Sequence, residues 1–400
     1  MTLGILKERK NPPDRRVVFG PEELIKLQHD FPELKILVES SDIRVFRDEE
    51  YQQLGFEVVN DISAADVLLG VKEVPVEDLL PNKSYFFFSH TIKKQPHNQK
   101  LLKTILKKNI TLYDHETLVN ENNVRLVGFG KYAGIVGVYN AIKAFGQTFE
   151  LFDLPKAETL KSQVDLISRL KKIDLPAIKI VLTGFGKVGM GAKEMLDGMK
   201  LKQVSVDDFL LKTFDHAVYA QIDVLDYNKR KDGEKREKND FFNHAEEYVS
   251  DFEKFTKVAD LFIAGHFYDN KAPKILTQEM LASVTNKIKV VADISCDIPG
   301  PIACTIRSST IADPIYGYHP KSGQEIPYTH PEAIVVMAID NLPCELPRDA
   351  SEGFGTTFRE RIIPSFFNND QDNILNRARM TENGKLTKRF EYLSDYVNGK

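Results

Sequence analysis

Residues 178–191, IKIVLTGFGKVGMG, decide the fold. An aliphatic run, Ile178 to Leu182, reads as a buried strand. It breaks into a turn carrying Gly184, Gly186, Gly189 and Gly191, and the following AKEMLDGMK reads as helix. Strand, glycine turn and helix together are the setting in which G-x-G-x-x-G signals a dinucleotide site. The first glycine makes the tight turn, the second lets backbone approach a pyrophosphate, and the third lets the helix lie close to its strand. Lys187 and Val188, inside the motif, open the helix whose N-terminus favours anionic oxygens. The competing reading is a glycine turn that only packs a helix on a sheet.

Upstream, strands alternate with helices. Thr2–Lys7, Leu34–Glu39, 56–59, Asp66–Val71, Ser84–Ser89, Ile110–Tyr113 and Val124–Val127 read as strands. Pro21 opens a helix, Arg47–Leu54 is another, and Pro96–Lys108 is amphipathic, with Leu101, Leu102, Ile105 and Leu106 on one face. This alternation predicts a mostly parallel sheet covered on both faces, with ligands beyond the carboxyl ends of the strands. The residues at those ends are Lys72 and Glu73, His90, and Asp114 to Glu116. Lys72 follows the apolar VLLGV; burial lowers a lysine pKa towards the range of proton transfer, and Glu73 beside it pushes the other way. A lysine snorkelling to water is the alternative. His90, after SYFFFS, is a candidate acid–base group or a histidine in a local hydrogen bond. Arg16, in the loop after the first strand, can form a bidentate pair with a carboxylate.

Tyr132–Phe149 is a long helix, read as a bridge over 133–152. Downstream, Gln203–Val206 reads as a second strand. Asp207, 21 residues after Gly186, suits an acid on the adenosine ribose, which favours NAD over NADP; a solvated acidic turn is the alternative. Asn228–Asp240 mixes charges of both signs and reads as an exposed flexible loop. Phe241–Thr256 reads as helix, Asp260–Gly265, Lys289–Ile294 and Ile334–Ile339 as strands, and Ala350–Phe366 and Gln371–Tyr396 as helices.

Composition sets bounds. A 42% hydrophobic content over 400 residues suffices for two or three cores. The net charge of −4 and the scattered basic residues predict neither nucleic acid nor membrane surface as partner. Three cysteines, Cys296, Cys304 and Cys344, without CxxC spacing predict no disulfide framework and no metal site, and a reduced, cytoplasmic protein. The N-terminus has no signal-peptide run, and no stretch approaches the roughly 20 apolar residues of a membrane span.

Several segments together resemble the alanine dehydrogenase and transhydrogenase superfamily, and within it the L-lysine-forming saccharopine dehydrogenases and lysine–2-oxoglutarate reductases. The resemblance spans nearly the whole chain and is carried by RRVVFGPEEL (15–24), LLGVKEVP (68–75), YFFFSHTIKKQ (85–95), ITLYDHETL (110–118), GFGKYAGIVG (128–137), VLTGFGKVGMGA (181–192), VVADISCDIPGPI (290–302) and AIDNLPCELPRDAS (338–351). It implies an α/β protein of two Rossmann-like doubly wound domains with a cleft between them. A catalytic domain at 1–132 would be completed by C-terminal helices at about 343–400, and a dinucleotide domain would span 153–342. It implies reversible NAD(P)H-dependent condensation of lysine with 2-oxoglutarate to saccharopine, with NAD or NADP as cofactor and a possible homo-oligomer. Lys72 and His90 would be the acid–base pair, tuned by Glu73 and Glu116. Arg16, Lys72, Lys93 and Lys143 would contact substrate. Gly184, Gly186, Lys187, Val188, Gly189, Asp207, Gly265, Ile339, Asp340, Asn341 and Leu342 would contact the dinucleotide. Lys143 stands where fungal members carry an arginine, and no second, glutamate-forming half is expected. The rivals are an alanine or opine-type dehydrogenase and, from another class, a non-catalytic dinucleotide-binding module.

Overall fold

A computed structural model describes residues 1–10, 12–235 and 237–399. The chain divides into two units: residues 1–129 with 347–400, and residues 130–346.

The first unit carries β1 (Thr2–Ile5), α1 (Pro21–Asp30), β2 (Lys35–Glu39), α2 (Asp48–Gln53), β3 (Glu57–Val59), β4 (Val67–Lys72), β5 (Ser84–Phe88), α3 (Gln99–Lys107) and β6 (Thr111–Asp114). Its sheet has the order β3-β2-β1-β4-β5-β6, with every neighbouring pair parallel. Both faces are covered, so β4 and β5 are apolar almost throughout rather than alternating. The chain winds outward from β1 in one direction and from β4 in the other. That puts a topological switch point between these two strands, where ligands sit in open α/β sheets. Val124–Val127 forms no strand and contributes only an isolated bridge, Val119 to Arg125.

The C-terminal segment belongs to this unit. The Pro347–Arg361 helix lies on α1, and its Arg359 donates to Glu23 (3.1 Å) and Asp30 (2.6 Å). Residues 371–396 are not the continuous helix the pattern predicts. A short helix, Ile374–Ala378, gives way to a hairpin of Thr381–Glu382 and Lys385–Leu386. Asn383 (φ 52°) and Gly384 (φ 71°) form its turn, and two successive left-handed residues cannot continue a right-handed helix.

The second unit opens with α4 (Gly130–Thr148) and α5 (Gln163–Leu170), then β7 (Lys179–Thr183), α6 (Lys187–Gly198), β8 (Lys202–Gln203), α7 (Val206–Leu211) and β9 (Val218–Ile222). It continues through α8 (Val224–Tyr227), β10 (Asn228–Arg230), α9 (Lys238–Asn243), β11 (Tyr248–Ser250), β12 (Leu261–Ala264), β13 (Val290–Asp293), β14 (Ile315–His319), β15 (Gln324–Ile326) and β16 (Ile334–Met337). The sheet order is β15-β14-β16-β13-β12-β7-β9-β8. Six strands are parallel, and β14 and β15 close one edge antiparallel.

Helix α4 is an integral part of this unit, where the sequence suggested a bridge. A Cβ on Gly134 would stand 2.0 Å from the Val188 carbonyl, and one on Gly191 would stand 2.0 Å from that of Lys131. Helices α4 and α6 therefore touch backbone to backbone, a contact that only glycine permits. The charged run 228–240 is likewise not a plain loop. Its start, β10, pairs antiparallel with β11, and Arg230 gathers Asp232 (2.9 Å), Asp240 (2.7 Å) and Glu247 around one guanidinium. Arg236 lies outside the described residues. The helix expected over 241–256 is interrupted by β11, whose Tyr248 packs edge-on against Phe241 at 5.1 Å.

Cys304 is buried, and burial pushes the half-buried Cys296 thiol up to about 12, so neither is a nucleophile at neutral pH. Among the described residues no helix is long and apolar enough to cross a membrane, and no His/Cys/Asp/Glu cluster could hold a metal ion.

Candidate active site

The carboxyl ends of β4, β5 and β6 place three of the expected groups in one row. Asp114, wholly buried at the end of β6, organises them. Its carboxylate accepts from the Ser89 hydroxyl (2.5 Å) and from the backbone N–H groups of Ser89 (3.0 Å), His90 (3.1 Å) and Glu116 (2.7 Å). These bonds hold His90 in the left-handed region (φ 55°), a conformation non-glycine residues adopt only where their surroundings fix it. The imidazole then meets Glu116, Nδ1 to Oε2 at 3.0 Å.

Glu116 is the local anion. Its side chain is 6% exposed, and Arg125 (3.1 Å) and Lys93 (3.6 Å) add to His90 around it. Burial would raise this carboxyl, but the His90 hydrogen bond and the charges of Lys93, His90 and Arg125 outweigh it and hold the group down at about 2. An ionised Glu116 accepts the Nδ1 proton, so Nε2 of His90 is the nitrogen left to exchange protons.

Lys72 ends β4 beside Phe88 of β5, whose ring in turn stacks on His90 with centroids 6.0 Å apart. Glu73 follows it and binds Lys10 (2.8 Å) through Oε1, while its Oε2 is buried without a hydrogen-bond partner among the described residues. A buried carboxylate oxygen of this kind calls for a donor, from water or from a ligand.

Two groups here carry no sequence motif. Glu8, beyond β1, accepts from the N–H of Val71 (2.7 Å) and of Lys72 (2.8 Å), so it positions the lysine's backbone; burial raises its carboxyl to about 7. His115 is buried and neutral, driven down to about 4 by burial, and bonds the Gly70 carbonyl through Nε2 (2.8 Å). It ties the β6 end to β4. His115 falls within the strand end at 114–116 that the sequence pointed to, but its contact, like that of Glu8, is non-local.

Arg16 differs from expectation. Its Nε (3.0 Å) and Nη2 (2.6 Å) are bonded to Asp14, and its guanidinium lies 4.2 Å over Phe129. A buried guanidinium needs a counter-charge, and Asp14 takes the bidentate edge that the sequence reading reserved for a substrate carboxylate. Burial raises Asp14, but Arg16, then Lys72, bring it below its ordinary value, so Lys72 shares this field.

In the second unit, the three motif glycines do distinct things. Gly184 has φ +95°, and a Cβ there would be 2.5 Å from the Gly265 carbonyl. A Cβ on Gly189 would be 2.1 Å from the Gly184 carbonyl. Gly186 has nothing within 4 Å of that position, so open space faces its backbone at the start of the 12-residue α6. Gly265 follows β12, and Ile339, Asp340, Asn341 and Leu342 follow β16, so their strand ends lie on the same edge of the sheet as the turn. This cradle fits a dinucleotide pyrophosphate. Beside it, His266 is buried and neutral, lowered to about 4 by burial, with Nδ1 2.7 Å from the Thr183 hydroxyl.

Two expected contacts lie elsewhere in this unit. Lys143 points its ammonium at the Leu154 carbonyl and Asp153 (2.9 Å), where it fastens the end of α4. Asp207 is exposed in the first turn of α7, next to the edge strand β8. The strand beside β7 is β9, with Thr183 paired to Ile222, and the acid at its end is Asp223. Spacing pointed to Asp207 because a two-residue strand and a short helix come before β9. The overlooked signal is AVYAQID at 217–223, a buried strand ending in an acid.

Both units match one family. Residues 4–136 match the alanine dehydrogenase/PNT N-terminal domain and residues 157–389 match the alanine dehydrogenase/PNT C-terminal domain, and the chain belongs to this family. Among curated relatives, it is 28% identical to alpha-aminoadipic semialdehyde synthase of Arabidopsis thaliana over 98% of its own length. It covers 41% of that protein and 47% of the mitochondrial protein of the same name from Bos taurus, at 26% identity, so it spans less than half of these relatives. It is 25% identical to saccharopine dehydrogenase [NAD(+), L-lysine-forming] of Yarrowia lipolytica, over 90% of each chain. Among solved structures, an L-alanine dehydrogenase superposes with a TM-score of 0.66 at 15% identity, covering 99% of this chain and all of that one, which shows the shared two-domain Rossmann-like fold.

Proposed function

We propose that this chain is an NAD(P)-dependent oxidoreductase acting on CH–NH bonds, and that it joins L-lysine to 2-oxoglutarate to form saccharopine, reversibly. The observation that carries the proposal is the His90–Glu116 pair with Lys72 at the next strand end, in a chain that matches one saccharopine dehydrogenase over nine-tenths of that protein's length. Condensation of an amine with a 2-oxo acid needs a base to take protons from the attacking nitrogen and an acid to release water. His90, with Nδ1 bonded to Glu116, offers Nε2 for this exchange, and the Lys72 amine is the second group. Arg125 and Lys93 add positive charge beside Glu116, which favours dicarboxylate substrates. Reduced nicotinamide, when bound, supplies the hydride. The Gly184–Gly189 turn holds its pyrophosphate, and Gly265 and Ile339–Leu342 line the same edge.

The test follows NADH and NADPH oxidation with 2-oxoglutarate plus lysine, and separately with pyruvate plus ammonia. Turnover with the first pair is expected. Turnover only with the second pair would make the chain an alanine dehydrogenase, and dinucleotide binding without turnover of any amine would make it a non-catalytic module.

A further inference from the structure

The loop that carries His90 and Lys93 runs from the end of β5 to α3. Asp114 fixes its start, through the N–H groups of Ser89 and His90. Beyond that point residues 93–97 are exposed, and Lys94 is a second left-handed residue (φ 54°). Such backbone keeps its shape only where its surroundings hold it.

The C-terminal segment of the same unit supplies those surroundings. After its hairpin the chain makes two turns, Lys388–Leu393 and Ser394–Asn398. Phe390, Leu393 and Tyr396 are buried there in one apolar cluster with Leu102 and Ile105 of α3, and Ile92, two residues after His90, packs against it. The Tyr396 hydroxyl donates to the Gln95 carbonyl (2.5 Å), which also accepts from the Asn98 N–H (3.0 Å) and so closes the turn before α3. The Gln99 side-chain amide donates to the Tyr396 carbonyl (2.6 Å), and the Lys94 ammonium lies 5.3 Å over the ring of Tyr392. The segment also reaches the next loop. Arg389 donates to the side-chain oxygen of Asn123 (2.9 Å), two residues before the Arg125 that pairs with Glu116. One stretch of chain therefore touches both loops whose residues meet at His90 and Glu116. Residues 390–399 lie beyond the C-terminal family match, which ends at 389.

We propose that residues 388–396 clamp the two loops that bring His90 to Glu116, with Tyr396 and Arg389 as positioning residues. Asp114 holds the 89–95 backbone at one end and Tyr396 holds it at the other, so that His90 and Lys93 stay on Glu116. Drift of an ångström in such a loop slows proton exchange at His90 and leaves the dinucleotide turn untouched. The kinetic consequence rests on the function proposed above; the mechanical one rests on these contacts alone.

The test compares the full wild-type chain with Tyr396→Phe and Arg389→Met by amide hydrogen exchange, and by steady-state kinetics with lysine, 2-oxoglutarate and reduced dinucleotide. Exchange is expected to quicken at residues 93–98 in Tyr396→Phe and at 120–125 in Arg389→Met, with β4 unchanged. In each variant kcat should fall about three- to tenfold, the loss of one hydrogen bond, with KM for the dinucleotide within about twofold. Arg389→Lys keeps a donor for Asn123 and should restore most of the turnover. Unfolding temperatures within about 2 °C of the wild type verify the fold. Unchanged exchange in both loops overturns the clamp, as does a loss of turnover that only tracks a fall in unfolding temperature. Quickened exchange with kcat unchanged overturns the positioning role. A wild-type chain that turns over no amine, while its loops still loosen in the variants, overturns the proposed function and upholds the clamp.

Discussion

Substituting alanine at two glycines of one motif separates binding from folding. Gly186 has φ −76° and ψ −171°, ordinary extended backbone, and no atom lies within 4 Å of the place a methyl would take. Gly186→Ala is therefore expected to leave the unfolding temperature within about 1–2 °C. The methyl would occupy the space through which a pyrophosphate reaches the backbone. Losing one hydrogen bond to a charged oxygen costs about 1.5–3 kcal/mol, which is roughly a ten- to hundredfold weaker dinucleotide. At Gly189 the balance reverses. A methyl there would sit 2.1 Å from the Gly184 carbonyl, backbone that cannot rotate away, so α6 must shift by more than an ångström. Overpacking of this kind costs about 2–3 kcal/mol, and the helix preference of alanine over glycine returns about 1. The net loss of about 1–2 kcal/mol lowers Tm by roughly 3–6 °C. Thermal unfolding and dinucleotide titration of both variants check this. Unchanged affinity in Gly186→Ala, with the fold intact, would refute the assigned role of the second glycine.

Lys72→Met and His90→Gln should each lower turnover by about 10²–10⁴-fold with dinucleotide affinity retained; loss of affinity in either would argue against an acid–base role. Glu116 sits at about 2 against an ordinary 4.5, so its stabilisation is full above pH 4.5 and is lost as pH falls through 2. With discount for its partly solvated partners it amounts to about 2 kcal/mol, and acid denaturation of Glu116→Gln should lack this component. Glu345, buried and bonded to Asn140 (2.7 Å), is raised by burial to about 7. The sign is opposite: its stabilisation is present below pH 4.5 and is lost as pH rises through 7, on the order of 3 kcal/mol. Urea unfolding at pH 5 and pH 8 should show a steeper decline in the wild type than in Glu345→Gln, where only buried Glu8, also raised to about 7, still contributes; parallel profiles would contradict it.

Local pattern determined much of this protein. The glycine spacing at 184–189, the apolar runs of β4, β5 and β7, and the residues Lys72, His90 and Glu116 at strand ends are all readable along the chain, because each depends on neighbours a few positions away. Strand order was decided only by the tertiary structure. Periodicity says that a segment is a strand but not which strand it pairs with, so spacing singled out Asp207, whereas the strand that pairs with β7 is β9, which ends at Asp223. Arg16 and Lys143 became internal ion pairs for a similar reason: a buried cation takes whichever carboxylate or carbonyl the fold brings near. Glu8 and Asp114 position the strand ends that carry Lys72 and His90 through bonds to backbone many residues away. The charged run at 228–240, which reads in sequence as an exposed loop, carries regular structure among its described residues because Arg230 gathers its acids and β10 finds β11. Chemistry of side-chain type was legible in the sequence; which side chains face one another was a property of the folded chain alone.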